Sequence, residues 1–209
     1  MTRVRVLTAE DRPRALEIAV RCFGANRFYQ KVLGYCGGEY AAYWELMFDL
    51  AIGDPSARVY GLDLDGQIHG VLVATFDRFP AKTRAARFLA GLLLRLGPRR
   101  TLHYFQLVRA YDRAHAARKH DVSREARCFG LMIASTAGAR FGPTFIREIR
   151  AALHREGKTF GTGVIDAADT RLVQFYRRLG FSISPPFVFL GGSASTIEIA
   201  TSPGPRTET

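Results

Sequence analysis

The stretch that most limits what this chain can become begins at residue 126. Residues 126–134 (Ala-Arg-Cys-Phe-Gly-Leu-Met-Ile-Ala) form a short apolar run without helical spacing, which predicts a buried strand. Residues 135–142 (Ser-Thr-Ala-Gly-Ala-Arg-Phe-Gly) are small, polar and glycine-containing, and predict a tight loop. From Pro143 onward, Phe145, Ile149 and Leu153 share one helical face, with the proline suited to a first helical position. Strand, glycine loop and helix together make an anion-binding arrangement. A helix N-terminus offers unpaired N–H groups at the positive end of its dipole, and glycine lets a phosphate approach the main chain. A plain α/β crossover needs a turn here too, so this signal alone does not decide the function.

The next segments sharpen it. Residues 158–166 (Lys-Thr-Phe-Gly-Thr-Gly-Val-Ile-Asp) predict another strand, and residues 169–181 run Asp-Thr-Arg-Leu-Val-Gln-Phe-Tyr-Arg-Arg-Leu-Gly-Phe. The second segment resembles a signature of the GNAT superfamily of N-acyltransferases. There a helix starts at Asn or a similar cap, carries an aromatic-Tyr pair and ends in Gly-Phe. Phe175-Tyr176 and Gly180-Phe181 match in type and spacing, and Asp169 stands where Asn is common. The glycine loop then falls where that family has its pyrophosphate loop, usually Gln/Arg-x-x-Gly-x-Gly/Ala. Here the six residues are Ala137, Gly138, Ala139, Arg140, Phe141 and Gly142, of which only the last matches. The resemblance spans about 1–77 and 125–200 as an order of elements and is specific in 166–181.

What the resemblance implies is an α/β domain (α+β type) over residues 1–201. Its mixed, mostly antiparallel central sheet is flanked by helices, and it transfers an acyl group from acetyl-CoA or a longer acyl-CoA to a primary amine. Main-chain N–H groups of Leu131, Met132 and Ile133 would hold the pantetheine arm and polarise the thioester carbonyl. Those of Gly138, Ala139, Arg140, Phe141 and Gly142 would bind the pyrophosphate beside Asp169, and Tyr176 would protonate the leaving thiolate. Glu125 stands near where some members carry a catalytic Glu, and Glu148 and Glu45 stay open as bases. Beside these roles stand plain ones: Tyr176 as a core aromatic next to Leu172 and Leu179, and Glu125 as a solvated carboxylate. A catalytically inactive acyl-CoA sensor or scaffold is the alternative, favoured by the departures in the 137–142 loop.

Residues 78–124 lie outside the family pattern. They contain twelve Lys and Arg against two acids, so 12 − 2 = +10 of the chain's net +11 resides there. Phe88, Leu89, Leu92, Leu93 and Leu96 make one apolar stripe, and Tyr104, Leu107, Val108, Tyr111 and His115 a second, with Gly97-Pro98 between. This predicts a basic helical hairpin. Leu92, Leu93, Leu96, Leu107, Val108 and Tyr111 point to a wall for a medium- or long-chain acyl donor. The charge suits an acidic partner protein or an anionic membrane surface. The stripes packing together, or forming a homodimer interface, stays open. Nucleic acid is disfavoured, because the apolar faces suit packing or lipid better than base stacking.

The remaining segments fit one domain. Arg3–Leu7 alternates like an edge strand, and Thr8-x-x-Asp11 begins a helix carrying Leu16, Ala19, Val20 and Phe23 on one face. After Gly37-Gly38, a stripe of Tyr40, Tyr43, Trp44, Met47, Phe48 and Ala51 reads as core, part of it able to line an apolar acceptor pocket. Two strands flank Asp65-Gly66, a hairpin turn, with His69 as a structural histidine. Residues 182–190 and 196–200 predict two closing antiparallel strands, and 202–209 a loose tail. Three cysteines without a CxxC pair, Cys22, Cys36 and Cys128, indicate buried thiols in a reducing compartment. No His, Cys or carboxylate grouping has metal spacing, no run reaches the about 18 residues of a membrane span, and no signal peptide is evident. The expected location is the cytoplasm.

Overall fold

The computed structural model describes residues 2–24, 26–76, 79–116, 127–136 and 141–199. Strand β1 (Thr2–Val6) is an edge strand paired antiparallel with β2 (Ala57–Leu64). The Thr8–Asp11 start signal holds. Asp11 accepts from the Thr8 amide at 2.9 Å and from Arg5 through two bonds of 2.7 Å. Helix α1 (Arg12–Phe23) then buries Ala15, Ile18, Ala19 and Phe23.

Helix α2 (Arg27–Leu33) has no counterpart in the periodicity, being only 7 residues long. Its caps define it. The Asn26 side chain accepts from the amides of Phe28 and Tyr29, and Gly34 ends it at φ 64°. Helix α3 (Gly38–Ala51) carries the expected aromatic stripe, with Tyr40, Tyr43, Trp44, Met47, Phe48 and Ala51 all buried. Strands β2 and β3 (Gln67–Phe76) meet at Asp65-Gly66, where both residues have positive φ, 52° and 85°, as a two-residue hairpin of the primed type requires.

The insertion forms α4 (Lys82–Ala116), bent at Gly97 (φ 79°, ψ 172°). Phe88 and Tyr104 would lie about 24 Å apart on one straight helix, yet their ring centroids are 5.0 Å apart. The chain therefore folds back at the glycine. Its first half runs along α3. The Arg84 guanidinium donates to the carbonyls of Leu50, Ile52 and Gly53 at the α3 C-terminus, and Arg95 pairs with Glu45 at 2.6 Å. Around the bend, Arg100 donates to the Gly34 carbonyl and pairs with Glu39, while the His103 ring lies 2.6 Å from the Val32 carbonyl. Arg84 and Arg100 thus sit against the negative ends of α3 and α2. The stripes are only partly as expected. Phe88, Leu92 and Leu107 are buried, but Leu93 is 51% exposed, because α3 covers a narrower arc than the stripe occupies.

The remaining elements are β4 (Arg127–Ser135), α5 (Gly142–Arg155), β5 (Thr159–Asp166), α6 (Thr170–Arg178), β6 (Phe181–Ile183), β7 (Phe187–Phe189) and β8 (Gly192–Ile199). The sheet order is β1-β2-β3-β4-β5-β8-β6, with β7 also on β8. The first closing strand is thus two strands, because Pro185-Pro186 supplies no amide donors between them. Helices α1 to α4 share one core with Val71, Val73, Met132 and Ala134. Helices α5 and α6 share the other with Leu62, Leu72, Ala74 and Ile165. Cys128 is buried, but Cys36 is exposed, its thiol donating to Glu39 at 3.6 Å, which corrects the expectation of three buried thiols. The tail from 202 lies outside the described residues.

Candidate active site

Strands β4 and β5 form the parallel pair of this sheet, and they pair only at their beginnings. Arg127 meets Thr159, Cys128 meets Phe160 and Phe129 meets Thr162. Beyond that, β5 is bonded to β8, from Gly163 opposite Ile197 to Asp166 opposite Ala194, while β4 is bonded to β3. The sheet forks. Glycines stand on both sides of its apex, and a Cβ on Gly163 would lie 3.4 Å from the Gly130 carbonyl oxygen.

A bulge lies at the same place. Gly130 pairs with Ala74 and Met132 with the preceding Val73, leaving Leu131 as an extra residue in β4. Such a residue takes its main-chain groups out of the ladder and turns the strand beyond it. Leu131, Met132 and Ile133 thus line the β4 side of the fork with a main chain that β5 does not satisfy. Met132 is buried and Ile133 half-buried.

At the open end, β4 runs toward the start of α5. Among the described residues no side chain caps that helix, and Pro143 sits in its first turn, so the first-turn amides face outward with the positive end of the dipole. Gly142 abuts the ring of Phe175, 2.9 Å from where its Cβ would be. Gly138, Ala139 and Arg140 lie outside the described residues, as does Glu125. Asp169 caps α6, accepting from the Leu172 amide at 3.0 Å.

Tyr176 lies on the buried face of α6, edge-on to Phe175 and Phe181 at 5.2 Å and 5.4 Å between centroids. Burial pushes its phenol up from the ordinary value near 10, so the hydroxyl keeps its proton at neutral pH and is a donor. On the opposite face of the sheet, the Tyr29 phenol is pushed up by burial and then by the nearby phenols of Tyr111, Tyr176 and Tyr40. Tyr29, Tyr40 and Tyr111, one each from α2, α3 and α4, belong to the core on that face, while Tyr176 belongs to the core on the other.

Other aromatic rings close around that group. Phe23 lies 4.2 Å from Tyr29 and 5.3 Å from Trp44, and Tyr111 lies 5.4 Å from Phe189 between centroids. Two buried polar atoms in this wall, Tyr40 Oη and Trp44 Nε1, belong to neighbouring turns of α3 and bear on each other. The sequence flagged Tyr40, Trp44 and Tyr111 as stripe residues. Tyr29 carried no signal, because its position depends on the short α2 and its Asn26 cap.

Among the carboxylates, Glu45 is held by Arg12 and Arg95, and Glu148 sits half-exposed beside Arg147. Glu198, not singled out from sequence, lies on β8 opposite Thr162, one register step below the fork, and is half-buried. No group of three or more His, Cys, Asp or Glu among the described residues could hold a metal ion.

No protein-family model matches the chain, and no curated protein matches it in sequence. Solved structures do match in shape. A structure described as histone acetyltransferase HPA2 and related acetyltransferase, from Corynebacterium glutamicum, is 16% identical with a TM-score of 0.58, covering 97% of this chain and 98% of its own. The Drosophila melanogaster polyamine N-acetyltransferase, which forms N-acetylagmatine, is 11% identical with a TM-score of 0.64, over 94% and 98% of the two chains. Aminoglycoside acetyltransferase AAC(6′)-Ib in complex with coenzyme A is 11% identical with a TM-score of 0.51, over 95% of each chain. The chain has the GNAT fold.

Proposed function

On this fold, we propose that the protein is an N-acyltransferase that moves an acyl group from an acyl-CoA thioester to a primary amine. One observation carries the reading: the β4–β5 fork with a bulge at Leu131 at its apex, an uncapped helix N-terminus at its open end and Tyr176 buried on α6, the helix that follows β5. An extended thioester needs main-chain groups left over from a sheet, its phosphates need amide donors, and its sulfur needs a proton donor. The amine nitrogen attacks the thioester carbonyl carbon, and the C–S bond breaks. The main chain of 131–133 stabilises the oxyanion, Tyr176 donates to the departing sulfur, and a carboxylate takes the proton lost by the amine. Residues 138–142 bind the pyrophosphate. Asp169 acts through its cap on α6, which holds Tyr176 in place. Glu125 and Glu198 are the two candidate bases.

The acceptor would enter on the α2–α3–α4 side, where Tyr29, Tyr40, Trp44 and Tyr111 form an aromatic wall. Such a wall suits an amine on a small organic molecule, or a peptide terminus. Of the solved neighbours named above, one is a polyamine and one an aminoglycoside acetyltransferase, and the third is described as a histone acetyltransferase. For the donor we favour acetyl or another short acyl group. Leu92 and Leu107, offered from the sequence as a long-chain wall, are already packed in the core with α3, and Leu93 faces solvent.

The test is a free-thiol assay with acetyl-CoA and octanoyl-CoA against a panel of polyamines, aminoglycosides and aromatic amines. We expect amine-dependent thiol release, faster with acetyl-CoA. Tyr176→Phe should lower kcat by about 10²-fold at unchanged donor KM. Glu125→Gln and Glu198→Gln should separate the bases by which of them loses the basic-going rise of the pH profile. CoA binding by calorimetry without thiol release for any amine would favour the sensor reading, and absence of both would refute the site.

A further inference from the structure

The bend in α4 carries a second feature, independent of the catalytic reading. Leu93, Leu94, Leu102 and Phe105 are 51%, 87%, 61% and 43% exposed, four of the six large hydrophobic side chains most exposed among the described residues. All four lie around Gly97. Leu93, Leu94 and Leu102 are within five residues of it, so each is within about 8 Å of the corner along its own helix, and Phe105 is within about 12 Å. The bend thus gathers on one protruding corner what a straight helix would spread out. A monomer surface gains nothing from this: Leu94 touches little of its own chain.

Both arms of the bent helix are cationic, and among the described residues Arg99 is the unpaired cation beside the corner itself. Described residues 82–116 hold eight Lys and Arg and one acid, 8 − 1 = +7. Arg84, Arg95 and Arg100 are engaged with α3 and the end of α2. Lys82, Arg87, Arg99 and Arg109 are exposed and form no ion pair with a described residue, and the one acid, Asp112, lies at the far end near Arg109 and Arg113. No helix among the described residues is long and apolar enough to cross a membrane.

We propose that the Gly97 corner of α4 docks on an anionic lipid surface, with Leu94, Leu93, Leu102 and Phe105 entering the interface, Arg99 resting on the headgroups beside them, and Arg87 and Arg109, about 15 and 18 Å along the two arms, adding to the attraction. Short apolar projections among arginines are what shallow interfacial binding requires, since apolar insertion and attraction to anionic headgroups add. A second copy of the chain is the poorer occupant, because a two-fold contact at this corner would bring the cationic arms of two copies together. An acidic protein would satisfy the arginines but gives no reason for three protruding leucines, a residue type under-represented among interface hot spots.

The test is flotation of the full chain with vesicles of phosphatidylcholine alone and of phosphatidylcholine mixed with phosphatidylglycerol, at low and high salt, alongside size-exclusion chromatography with light scattering. We expect binding to the anionic vesicles at least tenfold stronger than to the neutral ones, weakening with salt. Leu94→Glu/Leu102→Glu should lose at least tenfold and Arg87→Glu/Arg99→Glu a similar factor, both with unchanged melting temperatures, since all four side chains are exposed. Equal binding to both vesicle types, or to neither, overturns the proposal. If the arginine variant loses binding and the leucine variant does not, nothing inserts, the proposal fails, and an acidic partner becomes the better reading. If the wild type is a dimer that Leu94→Glu/Leu102→Glu converts to a monomer, the corner is a contact between copies and the proposal fails as well.

Discussion

Gly142→Ala is the substitution that best separates the site from the scaffold. A Cβ at this position would lie 2.9 Å from two ring carbons of Phe175, whereas ordinary carbon contacts begin near about 3.5 Å. The ring must therefore retreat by roughly 0.6 Å. Phe175 is half-buried and can move, but it precedes Tyr176 on α6 and packs edge-on against it at 5.2 Å. Two effects on stability oppose one another. Alanine gains up to about 1 kcal/mol over glycine in a helix, less at its first position, and overpacking costs about 1–3 kcal/mol. The melting temperature should stay level or fall by a few degrees. Activity has no such offset. A displacement approaching 1 Å near a reacting group can cost about 10²-fold. We expect kcat/KM for acyl-CoA to fall at least tenfold, about 1.4 kcal/mol, while far-ultraviolet dichroism is unchanged. Gly142→Ala/Phe175→Leu, which gives the methyl room, should recover most of the loss, a coupling that a double-mutant cycle reads directly. Activity within twofold of wild type in a folded Gly142→Ala protein would refute the link from α5 through Phe175 to the site.

Other expectations follow from burial and charge. Leu92→Ala should cost about 2–5 kcal/mol in chemical denaturation, because the side chain is fully buried against α3, whereas Leu94→Ala should change stability by less than about 0.5 kcal/mol. Asp11 is held at about 2, chiefly by the hydrogen bonds from Arg5. Its folded value lies below the unfolded one, so it contributes stability above about pH 4 that is lost as pH falls toward 2. Melting temperatures of wild type and Asp11→Asn should differ at pH 7 and converge near pH 2. Burial raises the Cys128 thiol to about 12 while Cys36 is exposed, so maleimide should label Cys36 in the native protein and reach Cys128 only after denaturation.

The helix and strand pattern was readable wherever a local signal decided it. Asp65-Gly66 set its hairpin, Thr8 and Asp11 set a helix start, and the Phe145, Ile149, Leu153 face set α5. Where structure depended on a cap or a proline, the stripes misled. Helix α2 rests on Asn26 and Gly34, with too few residues for periodicity to show, and Pro185-Pro186 cut one expected strand in two. The insertion's charge was legible as a total but not by destination. Nothing in the spacing announces that Arg84 and Arg100 close the ends of α3 and α2 and that Arg95 pairs with Glu45 in the middle of α3, leaving Arg87, Arg99 and Arg109 as exposed residues.

The fork itself explains why so little of the site was legible. Each strand reads as an ordinary buried strand, and a glycine in either reads as a weak point. Only register shows that Gly130 and Gly163 stand opposite one another, and that Leu131 is the residue β3 does not match. On the proposed function, because β4 and β5 part above Phe129 and Thr162, a thioester held between the strands would have its sulfur toward α6 and its carbonyl open toward α2 and α3. On that reading the two faces would do different work: α5 and α6 would hold the donor and its leaving group, and α2, α3 and α4 the amine. A substitution in Tyr29 or Tyr40 should therefore change acceptor KM, and one in Gly142 or Tyr176 donor KM or kcat, with neither set mimicking the other.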